Sequence, residues 1–197
     1  AFQIEGAHDS DGKGPSVWDT FCTVDGKIAD ASNGHVACEH YTRWAEDVEL
    51  INQLGVNAYR FSISWPRVQP DGQGEWNEAG FAFYDQLISA LEKRGIALHL
   101  TLNHWDLPQA LQDQGGWANR GICDHFTRYA TEVARRFGHR VQSICTHNEP
   151  WVIAILGYEQ GIFAPGIQSR TQAMQAVHHL LLSHGMALKA MRGLGLT

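Results

Sequence analysis

The 197 residues, 44% hydrophobic and 18% charged, are enough for one sizeable domain or two small ones with a real core, which excludes disorder and low complexity. Lys and Arg number 15 against 21 Asp and Glu, and the net charge of -6 excludes the positive surface that a nucleic-acid partner needs. Apolar runs such as Val152 to Leu156 fall far short of the roughly 20 residues that span a bilayer, so no membrane role is expected.

The chain opens at Ala1 without an initiator methionine, a basic segment or a signal core. Phe2-Gln3-Ile4-Glu5-Gly6 reads as the end of a strand with sequence missing before it. Residues 41 to 54 then place Tyr41, Trp44, Val48, Ile51 and Leu54 at helical spacing, with Gly55 as the stop. In Val56 to Trp65 the bulky Tyr59, Phe61, Ile63 and Trp65 alternate with Ala58, Arg60, Ser62 and Ser64, which predicts a strand with two unlike faces. After a turn-rich loop, Asn77 is placed to cap a second helix striped by Phe81, Tyr84, Leu87, Ile88 and Leu91, and Ile96 to Asn103 is the next strand.

The cycle repeats with a helix carrying Ile122, Phe126, Tyr129, Val133 and Phe137, then a strand from Val141 to Asn148. A fourth helix, 171 to 192, is expected to be capped by Thr171 and striped by Met174, Val177, Leu181 and Leu188. It ends at Gly193 to Gly195, where the alternation would next supply a strand. No linker or repeat interrupts the series, so residues 1–197 read as a single unit. Strand alternating with helix favours parallel strands with right-handed crossovers. The long loops fall only after strands, at 66 to 77, 103 to 120 and 149 to 170, the asymmetry of a (β/α) barrel. A doubly wound sheet would be apolar on both faces, whereas Arg60, Ser62, His99 and Thr101 suit a polar barrel interior. The expected fold is therefore α/β: about the first four β/α units of a (β/α)8 TIM barrel, with the first strand clipped.

The four cysteines, Cys22, Cys38, Cys123 and Cys145, lie far apart with no CxxC pair, as in a reduced, cytoplasmic protein. His35, Cys38 and His40 lack the paired spacing of a structural zinc site, and no phosphate-binding glycine loop follows a strand. No metal and no cofactor are expected. Seven tryptophans supply flat apolar faces of the kind that suit sugar rings, though most tryptophans fill cores.

Thr146-His147-Asn148-Glu149-Pro150-Trp151 lies where a strand gives way to a long loop, the place that puts a side chain at the mouth of a barrel. Glu149 is the leading catalytic candidate, with an amide before it, a proline fixing the turn and an aromatic face beyond. Taken in order, Phe2-Gln3-Ile4-Glu5-Gly6, Tyr59-Arg60-Phe61-Ser62-Ile63-Ser64-Trp65-Pro66-Arg67, His104-Trp105-Asp106-Leu107-Pro108 and Asn148-Glu149-Pro150-Trp151 resemble the N-terminal half of glycoside hydrolase family 1, the β-glucosidase type. The resemblance covers essentially the whole chain.

What the resemblance implies is a retaining β-glycosidase, most simply a β-glucosidase acting on small O-linked β-glucosides. Retention needs two carboxyl groups about 5 to 5.5 Å apart across the glycosidic bond. Glu149 matches the general acid/base, which must be buried enough to hold its proton. The nucleophile belongs to a Glu-Asn-Gly motif of the C-terminal half, a string absent here, so the chain alone is expected to be inactive. Arg60 matches the residue that holds that nucleophile; paired to a structural carboxylate, it would be merely structural. Gln3, His104, Trp105 and Asn148 match residues that grip the sugar, Asn148 through the 2-OH, and Trp151 flanks the leaving group.

Asn103 and His147 depart from the apolar residues usual at their places. Strand alternation puts His104 on the outward face, so a kink must turn it inward. The competing readings are a non-catalytic half-barrel that binds sugar weakly, associating with its complementary C-terminal half or with itself because open strand edges invite pairing, and a 6-phospho-β-glycosidase.

Overall fold

Alternating apolar and polar residues in the three internal strand segments produce three parallel strands in a computed structural model that describes residues 2–196. They are β1 (Ala58–Ser62), β2 (Ala97–Asn103) and β3 (Ser143–His147), hydrogen-bonded in that order. Arg60 pairs with His99, His99 with Ser143, and Asn103 with His147. One face of the sheet therefore carries Arg60, His99, Thr101, Ser143 and Cys145, and the other carries Phe61, Leu98, Leu100 and Leu102, all buried beneath the helices. At mid-sheet the polar face is open, with Arg60, Ser143 and Cys145 exposed.

The first segment departs from expectation. Phe2–Glu5 is a four-residue helix, α1, ended by Gly6 at φ 62°. Four residues are too few to fix a period of two, and Glu5 is buried in polar contacts that a flat ladder does not require. The described residues thus carry three strands rather than four. The other elements are α2 (Val17–Phe21), α3 (His40–Gln53), α4 (Trp65–Val68), α5 (Glu78–Glu92), α6 (Gln109–Gln112), α7 (Ile122–Phe137) and α8 (Arg170–Arg192). A π-helix, Val152–Glu159, occupies the loop after β3. No described helix is long and apolar enough to cross a membrane, and all four cysteines are free.

Two expected caps are corrected. Ser169, not Thr171, starts α8, its side chain accepting from the Gln172 N–H. Asn77 does precede α5, but its amide donates to the carbonyls of Asp11 (2.7 Å) and Arg67 (2.9 Å), work for which an N–H, not a capping oxygen, is needed. On α8 the buried residues are Ala173, Ala176, His179, Leu180, Ser183, Ala187 and Met191, four of them small. Met174 and Leu181 lie outside this set and are exposed, because a close approach to α7 selects residues without bulk.

The loops after the strands are pinned to each other. The buried Tyr158 hydroxyl, on the π-helix, donates to Gln112 Oε1 (2.6 Å) and accepts from the Trp117 N–H (2.9 Å), both in the loop after β2. Trp65, after β1, stacks on Tyr129 of α7 at 4.7 Å between ring centres. The loops after β2 and β3 are thereby held in fixed relation, and the segment after β1 is packed on α7.

Candidate active site

The end of β3 hands the chain to Asn148, whose backbone N–H donates to the Asn103 carbonyl (2.9 Å), carrying the β2–β3 pairing one residue further. Glu149 then takes a left-handed conformation, φ 45°, which costs a non-glycine residue about 1–2 kcal/mol. Backbone strain of this kind gathers at functional sites. After β2, Trp105 takes the same left-handed conformation, at φ 76°. His104 is half-buried, and burial, together with cationic neighbours that include Arg60, lowers its pKa to about 4.

Four residues form one hydrogen-bonded chain. Thr101 Oγ1 accepts from Arg60 Nε (2.8 Å), Asn148 Oδ1 accepts from Arg60 Nη2 (2.7 Å), and Asn148 Nδ2 donates to Glu149 Oε2 (3.2 Å). Trp105 Nε1 donates to the Asn148 carbonyl (2.9 Å). Asn148 is therefore clamped through side chain and backbone, its amide orientation fixed by a cation on one side and a carboxylate on the other. One amide proton and one lone pair remain to meet a hydroxyl. Arg60 reaches Glu149 only through Asn148.

Gln3 stands apart from this chain of bonds. It is exposed and shares with Phe2, Trp18, Trp105 and Phe163 the walls of an apolar groove of about 390 Å³. Trp105 thus connects the clamped carboxylate to the groove of Gln3. Trp151 is 61% exposed at the start of the π-helix. Glu149 is exposed too, so residues 2–196 do not supply the burial that an acid near neutrality requires.

His147 is a core residue. Its Nδ1 accepts from Asn103 Nδ2 (3.1 Å), which leaves Nε2–H to donate to Ser183 Oγ (3.0 Å), and its ring stacks on Phe126. Burial, with His184 nearby, lowers its pKa to about 3 and keeps it neutral. Asn103 and His147 are thus mutually satisfied where two apolar residues would otherwise pack.

Sequence reasoning missed the scaffold beneath the site. Arg67, 1% exposed, donates to Glu5 Oε2 (2.8 Å) and to the Gly6 carbonyl, and lies over the Tyr41 ring at 4.0 Å. The Tyr84 hydroxyl donates to Glu5 Oε1 (2.7 Å) and accepts from the Ser64 N–H. Burial pushes the Glu5 carboxyl up, but cationic neighbours including Arg67 outweigh it and hold the pKa at about 2. Asp106 is buried, and that burial raises its pKa to about 6. Glu5, Arg67 and Asp106 all lie inside the recognised motifs, and a charge within an apolar string to which no role had been given was the available signal.

The chain is 49% identical over 192 residues to β-glucosidase A of Acetivibrio thermocellus, covering 98% of this chain and 43% of that protein. It superposes on the family 1 β-glucosidase from Thermotoga maritima with a TM-score of 0.96 at 49% identity, covering 98% of this chain and 44% of the other. A structure of that Thermotoga enzyme in complex with glucoimidazole matches equally well, with TM-score 0.96, 49% identity and the same two coverages. The chain spans less than half the length of these relatives. Residues 1–195 match the profile of glycosyl hydrolase family 1, and the chain belongs to that family.

Proposed function

We propose that residues 1–197 form, as one unit, the acid/base side of a retaining β-glucosidase whose barrel closes to eight strands with a complementary half. The observation that carries this reading is the clamp on Asn148, which ties Glu149 to Arg60 and Trp105 at one end of the sheet. Glu149 gives its proton to the glycosidic oxygen as that bond breaks, then takes a proton from the water that releases the sugar. The attacking carboxylate comes from the complementary half, which also covers Glu149. Asn148 bonds the 2-OH with its remaining N–H, an interaction that strengthens in the oxocarbenium-like transition state. Gln3, His104 and Trp105 hold the other hydroxyls and the ring, and Trp151 flanks the leaving group. The related Thermotoga enzyme has been solved with glucoimidazole, with galacto-hydroximolactam and with deoxynojirimycin, which supports a small sugar as the substrate's glycone.

The open polar face and the unpaired edges of β1 and β3 favour association, and the partner that completes the chemistry is the complementary half rather than a second copy. The test uses this chain alone and co-folded with the part of the Thermotoga enzyme that it does not match. Each preparation is sized and assayed on a chromogenic β-glucoside. Turnover is expected only from the pair. Turnover by the chain alone would place a nucleophile within residues 1–197, and a stable but inactive pair would sink the glycosidase reading.

A further inference from the structure

Beneath the site, where α1, α2 and the loop after β2 meet, lies a partly enclosed cavity of about 10 Å³ whose lining includes Glu5, Lys13, Ser16, Asp19, Ser64 and Asp106. Two of its walls are incomplete as hydrogen-bonding groups. Asp106 is 1% exposed, and neither of its carboxylate oxygens has a hydrogen-bond partner; the Ser64 hydroxyl lies beside it without meeting either at bonding geometry. Asp19 is also buried, and while its Oδ2 accepts from Ser16 and Lys13, its Oδ1 has no partner.

The orphaned atoms are all carboxylate oxygens, so what completes them must donate. Two of the donors lining the cavity, Lys13 and Ser16, are already committed. Lys13 Nζ donates to the carbonyls of His8 (3.2 Å) and Gly14 (3.0 Å) and to Asp19 Oδ2 (3.1 Å), and Ser16 Oγ donates to Asp19 Oδ2 (2.8 Å). The space is about that of one water molecule, and a polar cavity of this size with two or more bonding partners is where proteins hold ordered water. A metal cation would lie against the Lys13 ammonium in the same small space and be repelled by it.

We propose that this cavity is a built site for a single water molecule, which donates one hydrogen to Asp19 Oδ1 and the other to an oxygen of Asp106, joining α2 to the loop after β2. The same seam is already fastened by the Val17 N–H to the Leu107 carbonyl (2.9 Å) and the Gln109 N–H to the Pro15 carbonyl (2.9 Å), so the water extends an existing junction. That junction carries His104 and Trp105, two and one residues before Asp106, whatever chemistry they perform.

The test is a crystal structure of this chain at a resolution that shows ordered water, from crystals soaked in rubidium chloride, together with thermal unfolding in sodium chloride and in tetramethylammonium chloride at equal ionic strength. One peak within hydrogen-bond distance of Asp19 Oδ1 and an Asp106 oxygen, without anomalous rubidium signal, is expected, with equal Tm in the two salts. An empty or collapsed cavity overturns the proposal. So does a rubidium peak in it, or a Tm that rises only with sodium.

Discussion

Asn148 is the residue through which the site is assembled, because its amide has only one orientation that gives its oxygen to Arg60 and its nitrogen to Glu149. Arg60→Met in the reconstituted enzyme removes a charge-assisted bond of about 1.5–3 kcal/mol and frees that amide. The expected outcome is a fall of roughly 10- to 100-fold in kcat/KM on a chromogenic β-glucoside. The titratable groups under the site make opposite contributions to stability. Asp106, raised in the fold from 3.8 to about 6, stabilises below its unfolded pKa and loses that contribution as pH rises through 6. His147, lowered from 6.5 to about 3, contributes above pH 6.5 and loses its contribution as pH falls toward 3. Asp106→Asn is therefore expected to gain up to about 3 kcal/mol of unfolding free energy at pH 8 and nothing at pH 3.5, measured by denaturant titration. A gain independent of pH would contradict the burial of an ionised carboxyl.

At the scale of elements, β1, β2, β3 and the four long helices follow from periodicity, since each contains enough residues for a period to declare itself. The short pieces do not: α1, α4 and α6 have four residues each, and the π-helix has no periodic signature distinct from an apolar run. The face of α8 was read from its largest apolar residues, yet Ala173, Ala176, Ser183 and Ala187 are among those buried, because the nearness of α7 decides it. Ala176→Leu is accordingly expected to cost about 1–3 kcal/mol by overpacking, whereas Leu181→Ala, at a position 63% exposed, stays near neutral. Unfolding curves of the two variants provide the check.

Across the whole molecule, the three internal motifs lie in or just beyond successive strands, and Arg60, Trp105, Asn148 and Glu149 meet at one end of the sheet. What the motifs do not announce is how those side chains are held. The Thr101–Arg60–Asn148 bonds depend on cross-strand register, and the Glu5–Arg67–Tyr84 cluster joins residues as many as 79 apart in the chain. Contacts of that separation are set by packing and leave no local pattern. The exposure of Glu149 is likewise a property of the whole, since a half-covered sheet leaves its mouth in water.

The central claim is that Glu149 is the proton donor, and leaving-group dependence tests it most directly. In the reconstituted enzyme, Glu149→Gln is predicted to lower hydrolysis of a β-glucoside with a poor leaving group by roughly 100- to 10,000-fold. A dinitrophenyl glucoside, which needs no proton to depart, is predicted still to form the glycosyl-enzyme, with added azide restoring turnover as β-glucosyl azide. Wild-type hydrolysis of the poor substrate by that variant would contradict the account.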